Sequence, residues 1–181
     1  SDLEAFMLVQ LFVDMPSRND LAAVKVVDEG TATDSDTNYL VVGKDKFWFE
    51  VNQWKNRRSE ERKQRASGQT GKVQRLLPIS DEEQRLLRLY LSTCSKGPGS
   101  WLFVSSRKGN PPLTRNAAGK RVMRFFAKHF KKQVGMTMLR KILLSAAHGE
   151  SLAKMMADAN IYGHSLEQQK LYVRKRKRDS A

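Results

Sequence analysis

The residues of this chain whose types could do chemistry are a tyrosine, a histidine, two arginines and a lysine. Tyr172 stands in the stretch IYGHSLEQQKLYVRK (161–175), eight residues after His164 (172 − 164) and just ahead of the basic run RKRKR. A phenol, with a free pKa near 10, is a weak nucleophile at neutral pH until positive neighbours favour its phenolate. Guanidiniums suit such a site because they keep their charge and fork onto phosphate oxygens, where charge accumulates in the transition state. Two arginines stand at ordered positions, Arg18 in MPSRNDL and Arg140 in TMLRK. A lysine on a flexible turn, as in GQTGKVQRLLP, can supply a proton to a leaving oxygen. No phosphate-cradling Gly loop and no carboxylate cluster accompanies these residues, so neither nucleotide nor metal is called for.

The elements that must position these groups fit one domain. At 181 residues the chain can bury a real core without disulfides or metals. Its 33 Lys+Arg against 19 Asp+Glu give a net charge of +14, which makes nucleic acid the leading partner. A membrane partner is disfavoured, because no apolar run approaches the length of a spanning helix and no basic amphipathic helix dominates. The single Cys94 excludes an intrachain disulfide framework and a thiolate-rich zinc site, and a reducing compartment is the default.

DLEAFMLVQLFVDM (2–15) is apolar almost all round and predicts a buried central helix. Pro16 ends it, Ser17 caps, and a short helix is expected through NDLAAVKV, which would hold Arg18 between two ordered elements. NYLVVG and KFWFEV predict a hairpin and VQRLLPIS a third strand. The charged insertion between them, 52–72, is compatible with a loop or with a short solvated helix. Ser80 and Glu83 form a capping box for DEEQRLLRLYLSTC. Thr114 caps a helix with Ala118, Val122, Phe125 and Phe126 on its apolar face and a basic opposite face. Thr137–His148 predicts a helix with Leu139, Ile142, Leu143 and Ala146 inward, and Ser165 with Gln168 opens a last helix carrying Tyr172.

In order and spacing these pieces resemble the catalytic domain of the tyrosine recombinases, over nearly the whole chain. MPSRNDL matches the first arginine turn and so Arg18; GQTGKVQRLLP matches the lysine turn and so Lys72; TMLR matches the His-x-x-Arg box and so Arg140. Gly163, His164 and Tyr172 match the Gly-His and terminal tyrosine. The box histidine is Thr137 here, and Lys141 stands where many members have His, departures similar to those of eukaryotic-transposon and large-DNA-virus members. Singly, each of these residues is an ordinary surface charge or packing group; their joint order carries the reading.

The resemblance implies an α+β fold, mostly helical, with a small antiparallel sheet of about three strands on one side. It implies site-specific DNA cleavage and rejoining through a 3′-phosphotyrosine, with Arg18, Arg140 and His164 on the phosphate, Lys72 as general acid and Tyr172 as nucleophile. Lys63 is the rival acid and Tyr162 the rival nucleophile, disfavoured because it precedes the Gly-His turn. No cofactor and no metal is expected. The partner is double-stranded DNA, with dimer-to-tetramer assembly on it and a monomer permitted without it. Phosphate contacts are expected from Arg115, Lys120, Arg121, Arg124, Lys128 and Lys141, from the 55–65 insertion and from a flexible basic tail at 174–181. Residues 1–181 would form the catalytic domain, with an N-terminal DNA-clamping domain outside this chain. Localisation follows the source: a host nucleus for a eukaryotic or viral protein, otherwise the cytoplasm. Two alternatives remain, a degenerate DNA-binding protein of this fold and a type IB topoisomerase-like relaxing enzyme.

Overall fold

The structure, a computed structural model, describes residues 2–15, 20–54, 57–68 and 73–148. Helix α1 (Asp2–Asp14) runs through the centre, as its wide apolar surface requires, burying Ala5, Met7, Leu8, Leu11 and Phe12. Helix α3 (Asp81–Thr93) and helix α4 (Arg115–Phe130) pack against it. Helix α5 (Met136–His148) closes the described chain.

The sheet has four strands in the order β1 (Val24–Asp28), β2 (Asn38–Val42), β3 (Phe47–Val51) and β4 (Arg75–Pro78). β2–β3 and β3–β4 are antiparallel, as the hairpin pattern predicts. β1 is an addition. Where a helix was expected through NDLAAVKV, only a 3-10 turn forms at Asp20–Ala22, and Val24–Asp28 then pairs parallel with β2. The reason is the valine run VKVVD, whose branched side chains favour a pleated surface and here bury Val24, Val26 and Val27. The sheet is therefore mixed. The outer edge of β1 is covered by the segment 99–102, through Val26 N–H to the Ser100 carbonyl and Leu102 N–H to the Val24 carbonyl, both 2.8 Å.

Tyr90 ties α3 to that covering segment. Its hydroxyl donates to the Leu102 carbonyl at 2.8 Å in a fully buried setting, and burial raises its pKa far above that of a free phenol. Tyr90→Phe should cost about 1–3 kcal/mol by stranding that carbonyl. Urea titration checks this, and an unchanged midpoint would mean that water reaches the Leu102 oxygen.

The charged insertion resolves into a helix, α2 (Arg57–Ala66), which buries no residue. At the start of α3 the Ser80 hydroxyl accepts the Glu83 N–H at 3.3 Å, the first half of the expected capping box. The second half is missing: the Glu83 carboxyl is buried and its Oε1 has no hydrogen-bond partner. Thr114 caps α4 as expected, accepting the Ala117 N–H at 3.2 Å.

Candidate functional site

Two catalytic candidates fall within the described residues: Arg140, and the rival acid Lys63, which is exposed on α2. Arg18, Lys72, His164 and Tyr172 lie outside them, as do the rival Tyr162, the Ser165–Gln168 capping box and the 174–181 tail. Arg140 occupies the inward stripe of α5. That stripe is Met136, Leu139, Arg140, Leu143 and Leu144, the i, i+3, i+4, i+7, i+8 pattern of a helix face. It is rotated from the expected one: Ile142 and Ala146 are exposed, because the core claims Leu144 instead. The rotation turns Arg140 into the protein, where it is 6% exposed.

Its guanidinium lies over the Phe12 ring, 5.4 Å from the centroid. A desolvated cation on an aromatic face is held in orientation at little cost in charge, and its field on a nearby anion is stronger than in water. Phe12 belongs to the last turn of α1, which ends at Asp14; Arg18 follows Met15 by three residues (18 − 15) and precedes Asp20 by two (20 − 18). Asp20, where the described chain resumes, is ion-paired with Arg115 at 2.9 Å, so the start of α4 is fastened to the 3-10 turn. Thr137, in the place of the box histidine, is exposed at the margin of that stripe, three residues before Arg140 and so its neighbour along the helix.

Glu83 is a residue that the sequence reading missed as a titrating group. Burial, and secondarily the like charge of Asp14, raise its pKa to about 8. Nothing in its local pattern distinguishes it from a helix-capping glutamate, since its burial comes from packing between elements.

The basic face of α4 is less free than its sequence suggests. Arg121, expected outward, turns inward to pair with Glu4 at 2.7 Å and to donate to the Val104 carbonyl at 3.0 Å, which docks α4 on α1. The buried Glu4 anion requires that partner. Lys128 pairs with Asp2 at the exposed margin. Lys120 and Arg124 are exposed, and Lys141 is half-buried on α5. On the apolar side Ala118 and Val122 are buried, while Phe125 and Phe126 are only half-buried and stack with Phe130. Among the described residues no group of three or more His, Cys, Asp and Glu is placed to hold a metal ion.

A solved structure of XerA recombinase matches this architecture with a TM-score of 0.51, over 98% of this chain and 58% of its own length, at 16% sequence identity. The fold is recombinase-like. At that identity the likeness concerns the recombinase-like fold alone, and the chain spans under two thirds of the XerA protein. No family model and no curated protein matches the sequence. The recombinase-like fold accounts for the central α1 with helices packed around it and a small sheet, the α+β class expected from the sequence.

Proposed function

We propose that the protein cuts and rejoins double-stranded DNA through a covalent phosphotyrosine. The observation that carries the reading is Arg140, buried against the last turn of α1 in a recombinase-like fold, where the chain leads directly to Arg18. In the proposed step Tyr172 gives up its phenol proton to water, its oxygen attacks the phosphorus, a 3′-phosphotyrosine bond forms and the bond to the 5′ oxygen breaks. Lys72 gives that oxygen its proton, while Arg18, Arg140 and His164 hold the nonbridging oxygens. Rejoining is the reverse, with a 5′ hydroxyl attacking and the tyrosine leaving. The phosphodiester energy is kept in the covalent bond, so no external energy source enters. Assembly on DNA as a dimer or tetramer, in whichever compartment holds the target, belongs to the same proposal.

The test is a nicked duplex that traps the cleaved state by letting the short 5′ fragment diffuse away. A covalent adduct whose DNA-linked peptide contains Tyr172 is expected. Linkage through Tyr162 would overturn the residue assignment. The exposed Thr137 favours one second reading, a DNA-binding protein without chemistry, and duplex binding with no adduct on any trapping substrate would select it.

A further inference from the structure

Helix α2 is a polar helix with its charges sorted. Arg57, Glu60, Glu61 and Gln64, at i, i+3, i+4 and i+7, are half-buried, while Arg58, Ser59, Arg62, Lys63, Arg65 and Ala66 are exposed. Both glutamates are on the inner face and both are used there. Glu61 pairs with Arg57 at 2.7 Å. Glu60 pairs with Arg75 at the start of β4 and accepts the Trp54 indole N–H at 3.2 Å, and the Arg75 guanidinium lies over the Trp54 ring, 4.7 Å from its centroid. Arg57 also donates to the Ser35 carbonyl at 2.6 Å. The inner face is thus neutralised, and the outer face carries four cations with no acidic residue among them.

Ordinary helix energetics does not account for this arrangement. A ten-residue helix without a buried apolar face is marginal alone. Arg58 occupies its first turn, where the helix dipole disfavours positive charge. Cations at Lys63 and Arg65 complement the dipole at the other end, but the sorting of both signs across the helix axis serves no such purpose. What the Trp54–Glu60–Arg75 cluster does is hold a strip of guanidiniums at a set position beside the sheet. Arg58, Arg62 and Arg65 span about 10 Å along the axis, at 1.5 Å per residue, comparable with the roughly 12 Å width of the DNA major groove.

We infer that α2 is a docked arm that binds the backbone of duplex DNA, a contact surface distinct from α4, where Arg121 is paired inside the fold, Arg115 and Lys128 are paired at its surface, and Lys120 and Arg124 stay exposed. This rests on the DNA-processing reading above. Three phosphate contacts made by Arg58, Arg62 and Arg65 contribute about −2.7 (3 × −0.9) to the log–log salt slope of binding, out of about −5 if roughly six phosphates are neutralised in all.

The test measures equilibrium binding of the full chain to a duplex as a function of salt, in a Tyr172→Phe background so that no covalent step enters. R58A/R62A/R65A should weaken binding at least about tenfold at low salt and make the slope shallower by about 2.7. The comparison variant K44A/K46A/K108A removes the same charge from exposed positions in two other loops, and should change the slope by less than half as much. Equal losses in the two triples would overturn the inference. Glu60→Gln adds one unit of positive charge, so generic attraction predicts tighter binding; a docked arm predicts several-fold weaker binding, and tighter binding overturns the anchor. Equal affinity for single-stranded DNA or for duplex RNA would overturn the assignment to duplex DNA. Because these readouts need no cleavage, a chain that forms no adduct still tests the arm.

Discussion

Tyr172→Phe is expected to abolish covalent protein–DNA adducts at every time point, whereas Arg140→Ala is expected to slow their formation by about 10²–10³-fold. The difference follows from what each group supplies. Without the phenol oxygen no bond to phosphorus can form, yet the phenyl ring remains and duplex affinity should stay within a few fold. Arg140 supplies charge to the transition state, and loss of a single preorganised donor of that kind costs about 2.7–4 kcal/mol. Arg140 is also part of the packing, since it is 6% exposed and covers the Phe12 ring, so thermal stability must be measured beside the rate. Arg140→Lys separates the two effects: it keeps the charge and most of the packing stem but loses the planar fork. A lysine variant that folds as well as the wild type and cuts at least tenfold more slowly would assign the loss to phosphate recognition. A lysine variant that cuts at the wild-type rate would remove Arg140 from the site.

Glu83→Gln is expected to stabilise the protein at pH 8 by several kcal/mol while changing little near pH 4.5. Burial and the Asp14 carboxylate raise the folded-state pKa of Glu83 to about 8, against 4.5 for the free group. Below about pH 4.5 the carboxyl is neutral in both states and folding carries no penalty. Between pH 4.5 and 8 the unfolded chain releases its proton while the folded one retains it, so stability falls as pH rises. Above pH 8 the whole penalty is present, about 5 kcal/mol from a shift of 3.5 (8 − 4.5). Glutamine keeps the shape and cannot ionise, so its stability should lose this pH dependence. Denaturant titrations of both proteins at pH 5 and pH 8 check it, with other groups cancelling between them. A constant offset at the two pH values would mean that Glu83 is ionised in the fold throughout.

Local chemistry was legible wherever one stretch of chain decides its own structure. The Ser80 and Thr114 caps, the β2–β3 hairpin and the long apolar α1 each follow from patterns complete within one short stretch of chain. β1 was not legible as a strand, because Leu21, Ala22 and Ala23 ahead of the valines read equally well as a helix start. Pairing with β2, across the 29–37 connection, decided it. Likewise the apolar residues of α5 allow two faces, and packing into the common core, with α4 beside it and Arg140 over Phe12, selected the one that contains Arg140.

The sequence by itself determined the strong positive charge and the order of arginine, lysine, arginine, histidine and tyrosine that the proposed reaction uses, since these are properties of composition and spacing, and the family resemblance carried by that order implied the α+β class. Tertiary structure decided which charges are available. Arg121 looked like its neighbours Lys120 and Arg124 until Glu4, 117 residues away, claimed it. Glu83 looked like a cap until burial beside Asp14 raised its pKa. The α2 cations, expected at phosphate on either a loop or a solvated helix, gained a direction only when Trp54 and Arg75 fixed which way the helix faces. The physical reason is the same in each case. A charge's identity is local, but its energy depends on the dielectric and the partners around it, and those are brought together only by residues far apart in the chain.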